Sequence, residues 1–325
     1  EAHHINVDTK KGKLSVEEKD ELISWETTVS RIFRSNNENI LLEFTATIDL
    51  SIPEIVSKYS DKIIFDYPLK QFRIDGYSKE VKVLQSDVPL IQRALQAIVL
   101  SQYRRKVFEK YKKLIKPVLL FKSKTIAESK TFYLEFIDKI KTLKKSEITA
   151  ILKSSDPVIK KCSNYFESNG ITIENLIEEL KSDFSVEKCI EVNSKEESEQ
   201  KQIAVNTLEN LNNEYRAVFA VDKLNEGWDV LNLFDIVRLY ETRDADTKTG
   251  KPGKTTIAEA QLIGRGARYC PFQIDDTQSK YQRKYDNDLD NELRICEELY
   301  YHSAYNPKYI HELHNALHEI GIKEK

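Results

Sequence analysis

Two arginines three residues apart, Arg265 and Arg268, close the segment Gln261-Leu-Ile-Gly-Arg-Gly-Ala-Arg268. On a helix that spacing puts both guanidinium groups on one face. Such a pair can clamp the charge that develops on a transferring phosphoryl group. Gly264 and Gly266 leave room for close backbone approach around Arg265. Phosphoanhydride cleavage also needs a metal clamp and a residue that orients the attacking water. Glu1-Ala-His-His4 offers a carboxylate beside small and imidazole side chains. Thr45-Ala-Thr47 ends one predicted strand, and Asp222-Lys-Leu-Asn-Glu-Gly-Trp-Asp229 follows another. Taken singly, each segment also has a plain structural reading: a solvated helix face for the arginines, an ordinary turn for Glu-Gly-Trp-Asp.

Elements must position these groups. Asn39–Ile48 is a short apolar, β-prone run and reads as a buried strand; Lys62–Phe65 and Val81–Leu84 read as two more. Pro68 and Gly76 mark residues 66–77 as a connection. Pro89 opens a helix to about Lys113 whose later half is basic and aromatic, with Arg104 and Arg105 as candidate phosphate contacts. A solvated helix with one buried aromatic face fits that half equally well. Pro117–Phe121 reads as a buried strand. Residues 126–182 read as charged helices with a break at Asn169-Gly170. Thereafter a strand at 186–191, a helix at 196–212, strands at 217–221 and 234–240, a helix at 256–268 and a helical tail at 288–320 are expected. Strands alternating with helices predict a doubly wound α/β domain with a parallel sheet, active at the carboxyl ends of its strands.

Composition agrees with a helix-rich globular protein: 325 residues, 40% hydrophobic, 32% charged, with only 9 Gly and 8 Pro. That length favours two domains. A net charge of −3 gives no global signature for nucleic acid, so such contacts would be local patches. The four cysteines are far apart and form no CxxC pair, which argues against a disulfide framework or zinc site and fits a reducing cytoplasm. No apolar run is long enough for a membrane span, and no signal peptide opens the chain.

In their order along the chain these motifs resemble the superfamily 2 helicases. Glu1-Ala-His-His4 looks like the DEAH box without its leading Asp, Thr45-Ala-Thr47 like motif III, Val221–Asp229 like motif V and Gln261–Arg268 like motif VI, with Pro117–Lys124 where motif IV belongs. The wording of Leu42-Glu-Phe-Thr-Ala-Thr47, Asp66-Tyr-Pro-Leu69, Leu224–Val230 and Gln261–Cys270 resembles the ATPase subunits of type III restriction enzymes. The resemblance implies the tail of a first RecA-like domain at 1–60, an inter-domain connection and basic helix at 61–115, and a second RecA-like domain at 116–325, with a helical insertion at about 126–182. It implies that Glu1 polarises the attacking water, and that His3, His4, Thr45 and Thr47 couple the site to domain closure. Glu226, Gly227 and Asp229 would lie between nucleotide and nucleic acid. Arg265 and Arg268 would act as arginine fingers positioned by Gln261, and Phe121, Lys122 and Ser123 would line the nucleic-acid path. ATP, Mg2+, double-stranded DNA and a methyltransferase subunit are the implied cofactors and partners. The implied activity is ATP-driven movement or switching on DNA before cleavage. Another superfamily 2 helicase acting on RNA or in repair, or a catalytically silent DNA-binding module, are the alternatives.

The sequence departs from the pattern in having no phosphate-binding loop. Gly250-Lys-Pro-Gly-Lys-Thr255 is the nearest match, but Lys248 stands where the motif needs Gly. The chain alone is therefore expected not to hydrolyse ATP and to be part of a longer protein. Two further clusters are decoys. His311, His314 and His318 share a helix face, but the outer two are roughly 10 Å apart along the axis. Asp286-Asn-Asp-Leu-Asp290 with Glu297 mimics a calcium loop but has Asn291 where the turn needs Gly.

Overall fold

Val118-Leu-Leu-Phe-Lys122 is buried along its whole length, as a parallel strand covered on both faces must be. The structure is a computed structural model that describes residues 27–44, 53–193, 199–221, 228, 230–241, 252–269 and 272–324. Among these, six strands form one sheet: β1 (Glu80–Ser86), β2 (Val118–Lys122), β3 (Cys189–Val192), β4 (Ala217–Ala220), β5 (Leu233–Arg238) and β6 (Glu298–Ala304). Their order is β1-β6-β5-β2-β4-β3, and every pairing is parallel. This is the doubly wound α/β sheet expected from the alternation.

The chain divides into two compact units, residues 1–68 and 69–325. In the first, residues 27–34 are helical, and α1 (Pro53–Tyr59) brings the Tyr59 hydroxyl to Glu43 Oε1 at 3.2 Å. The expected strand at 39–48 is irregular over 39–44, and its remainder lies outside the described residues. Lys62–Phe65 is not a strand either. Ile40, Phe44, Ile64 and Phe65 are exposed, and an apolar run becomes a strand only where neighbours pair its backbone.

The second unit holds the sheet. The helices are α2 (Leu69–Ile74), α3 (Leu90–Lys110), α4 (Ile126–Lys141), α5 (Lys145–Leu152), α6 (Pro157–Ser168), α7 (Ile173–Asp183), α8 (Glu199–Asn206), α9 (Lys254–Gly266) and α10 (Pro307–Glu319). Alternate strand residues feed two cores. Leu119, Phe121, Phe219 and Phe234 face α3 to α7, whereas Val118, Leu120, Val218 and Ile236 face α8 to α10. Phe121 stacks on Phe219 at 4.7 Å and meets Phe136 at 5.0 Å. The insertion is helical as expected, and local signals set its ends. Thr125 and Glu128 form a capping box on α4, Asp156 caps α6 ahead of Pro157, and Gly170 takes the left-handed φ of +67° at the expected break.

The strand expected at Val81–Leu84 and the helix expected from Pro89 form as β1 and α3. β1 is an edge strand of the sheet, and α3 is buried on most of its surface and packs on it. The tail is not all helix: after a 3-10 turn at Glu292–Glu297, β6 inserts between β1 and β5 before α10 begins. Glu298 and His302 put polar side chains on β6. In the fold both are buried, with Arg294 beside Glu298 and Asp235 beside His302.

Candidate functional site

The candidate fingers sit at the end of α9. Gly253 precedes its first turn, Ala260, Leu262 and Ile263 face the core, and Tyr269 reverses the chain in the left-handed region at φ +50°. Gln261 is exposed; Arg265 and Arg268 are half-buried. Arg265 makes no side-chain hydrogen bond or ion pair among the described residues. The two glycines differ. A Cβ on Gly266 would come within 2.7 Å of Leu299 Cδ1 and 2.9 Å of Leu233 Cδ2, so only glycine lets the helix lie this close to β5 and β6. At Gly264 the nearest atom would be 3.5 Å away, an ordinary contact.

Leu233 begins β5 and Leu299 is the second residue of β6, so the arginine end of α9 lies at the amino edge of the sheet. The expected active edge was the carboxyl one, where Phe121, Lys122 and Ser123 end β2. The sheet therefore separates these two groups of predicted site residues. The reason is the direction of α9, which runs back along the sheet from the carboxyl end of β5 and delivers its last turn to the strand starts.

The carboxyl-edge group is not a surface. Phe121 is at the centre of an aromatic core, Lys122 donates to the carbonyl of Val221, and Ser123 is buried with its amide on Ala220 O at 3.0 Å. These positions correct the expectation that their side chains line a nucleic-acid path. Arg104 and Arg105 are corrected likewise. Arg104 is 0% exposed, donates from Nε to Ile295 O at 2.9 Å and pairs with buried Asp235. Arg105 pairs with Glu109 and with Asp183, which also holds buried Arg216. Apolar surroundings and carboxylates placed by other elements turned a basic sequence into a structural one.

Glu1, His3, His4, Thr45, Thr47, Glu226, Gly227 and Asp229 lie outside the described residues. Trp228 is buried and donates from Nε1 to Val205 O at 3.1 Å.

The amino half of α9 is held by a polar cluster the sequence did not disclose. Glu259, 1% exposed, accepts from Arg238 Nε at 2.8 Å, from the Tyr309 hydroxyl at 2.6 Å and from Tyr240. Tyr301 joins through Tyr309 at 2.7 Å. Burial disfavours the Arg238 cation, but Tyr301 and Glu259 beside it raise its pKa above the usual arginine value. Burial, then Glu259, raises the Tyr240 phenol. A carboxylate four residues before Ile263, on the apolar face of α9, was the available signal.

The decoys resolve as structure. His311 meets Asn315 at 3.3 Å and His314 meets Lys323 at 3.0 Å. Glu297 accepts the amides of Lys284 and Tyr285, and Asp286 pairs with Arg283. Among the described residues no group of three His, Cys, Asp or Glu is placed to hold a metal, and no helix is long and apolar enough to cross a membrane. Cys162, Cys189 and Cys296 are buried free thiols; Cys270 lies outside the described residues.

Comparison with known proteins adds what the geometry leaves open. A family model described as HI_1054_N, N-terminal region, matches residues 255–325, which include α9 and β6. A Haemophilus influenzae protein named "Probable type III restriction-modification enzyme HindVIP Res subunit" is 35% identical over 292 residues, covering 78% of this chain and 57% of that protein. The chain thus spans a little over half the length of that relative. An uncharacterized protein of the same organism is 43% identical over 83 residues, 25% of this chain and 18% of its own length. A fragment structure of an HsdR subunit assigned to a type I restriction enzyme from Vibrio vulnificus matches with 12% identity and a TM-score of 0.32, covering 79% of this chain and 42% of that one. Over the span it covers, the chain belongs to the family of type III restriction-modification Res subunits.

Proposed function

We propose that this chain carries the arginine-bearing half of an ATP-driven motor in the restriction subunit of a type III enzyme. In this reading, ATP hydrolysis drives movement or switching on double-stranded DNA before endonucleolytic cleavage, and a methyltransferase subunit recognises the site. Water attacks the γ-phosphorus, the bond to the ADP oxygen breaks, and phosphate leaves. Arg265 and Arg268 neutralise the charge on the phosphoryl oxygens as this happens. Gln261, one turn earlier on α9, helps position them. The nucleotide brings its own Mg2+, which neutralises phosphate charge when bound. Glu1 orients the water.

The supporting observation is Arg265. It stands half-buried at the end of a helix that is fixed at both ends, and its guanidinium has no partner among the described residues. By contrast, Arg104, Arg216 and Arg238 are spent on buried carboxylates. A charged group held in place with no counter-ion among the described residues suits an anion that comes and goes.

The test is DNA-stimulated ATP hydrolysis by the complete restriction subunit carrying Arg265→Ala or Arg268→Ala. The expected loss is about a thousandfold in kcat, at the lower end for an arginine finger. Unchanged hydrolysis in both variants would make the chain a silent DNA-binding module of the same fold.

A further inference from the structure

We propose that Lys79 is a positioning residue for Arg265 and Arg268: its buried ammonium holds the carboxyl end of α9 and so sets where the two guanidinium groups stand. The proposal rests on the phosphoryl-clamp reading above. Lys79 lies just ahead of β1, 187 residues before Gly266, and is 1% exposed. Its Nζ donates to Gly266 O at 2.8 Å and to Arg268 O at 3.4 Å, and its amide donates to Ala267 O at 2.6 Å. Three consecutive carbonyls of the arginine segment are thus taken by one residue. Ser78 adds an antiparallel bridge to Arg268.

The last carbonyls of a helix have no amide of their own helix to accept from, and the negative end of the helix dipole gathers there. A cation with three donors answers both needs. Burying an ammonium is costly unless it is hydrogen-bonded, so an edge that needed only packing would be served by an apolar residue. The stem is fixed too. Lys79 Nζ lies 4.9 Å from the Phe234 ring, and Arg283 braces the preceding segment through the carbonyls of Gly76 and Ser78. Tyr269, next after Arg268, packs edge-on to Phe72 of α2 at 5.1 Å. Glu259 fixes the first half of α9 and Lys79 the last turn; Arg265 lies between them.

A clamp of this kind matters most when charge develops on the phosphoryl group, because small misplacements of a clamping group cost rate rather than ground-state binding. The experiment compares Lys79→Met, Lys79→Arg and Arg265→Ala in the complete restriction subunit. It measures DNA-stimulated kcat, KM for ATP, and affinity for ADP with and without tetrafluoroaluminate. Lys79→Met is expected to lower kcat about tenfold with KM held within about twofold. It should weaken ADP–tetrafluoroaluminate and leave ADP binding intact, and Lys79→Arg should recover most of kcat. The proposal is overturned if Lys79→Met keeps full kcat while Arg265→Ala does not. Equal inactivity of the Arg and Met variants, or equal loss of both ligands, overturns it as well. Full activity of Arg265→Ala removes the clamp reading itself, and this proposal with it. If Lys79→Met does not yield folded protein, Lys79→Gln, which keeps a donor, is judged by the same kcat-against-KM split.

Discussion

Arg104 and Arg265 both project from helices packed on one sheet, α3 on one face and α9 on the other, yet one is dry and paired and the other is half-exposed and without a partner among the described residues. Arg104 is surrounded by Asp235, Ile295 O and the Phe234 ring at 4.9 Å. Arg265 has a rigid platform and no counter-charge among the described residues. The difference teaches that a guanidinium is committed to structure or left for a ligand by what the rest of the fold places opposite it. Helical spacing and local charge do not decide it.

The largest expected effect would break this contrast outright. Arg265→Ala should change folding stability by less than about 0.5 kcal/mol, as for a surface residue, while nearly abolishing hydrolysis. A urea titration beside the ATPase assay separates the two; a large loss of stability would put Arg265 in the same class as Arg104. Asp235→Ala should do the opposite. It strands Arg104 and removes the partner of His302 at 3.0 Å, and breaking a buried pair costs about 3–5 kcal/mol. Hydrolysis per folded molecule should be unchanged.

A smaller effect sharpens the comparison within α3. Arg105 is one-third exposed, so Arg105→Ala should cost about 1 kcal/mol at most and leave DNA affinity and its salt dependence unaltered. A reduced salt slope in a binding titration would restore Arg105 as a phosphate contact. A pH-dependent effect concerns a cation that yields its proton instead of finding a carboxylate. Burial, with Arg216 nearby, lowers the pKa of Lys116 to about 8 from 10.5. Between those values the unfolded chain holds a proton that the folded chain has shed, so stability should rise with pH across that window. Urea midpoints measured from pH about 8 to about 10.5 should show the rise. It should be absent in Lys116→Met.

Much of the sheet was legible because parallel strands announce themselves. Pro117–Phe121, 217–221 and 234–240 are apolar runs of strand length between helical stretches, and β2, β4 and β5 form there. Strand β6, inside the sheet between β1 and β5, was less legible. β6 carries Glu298, Tyr300, Tyr301 and His302, whose polar atoms are matched by partners such as Arg294, Tyr309 and Asp235. Asp235 is 67 residues from His302, and no local pattern reports a partner at that separation. The apolar run at 39–44 failed in the other direction, since it carries the strand pattern but is not paired in the described residues.

Read alone, the sequence specified the α/β class, the helical insertion with its caps, and the Gln261–Arg268 motif with the family it resembles. Those follow from periodicity, from capping side chains within a few residues of the ends they cap, and from a spaced set of residue types. Only the tertiary structure decided which cations are available, that the arginines lie at the amino edge, and that Glu259 and Lys79 hold the helix bearing them. Each of those depends on groups far apart in the chain, and the free energy of a buried charge is set by its neighbours in space.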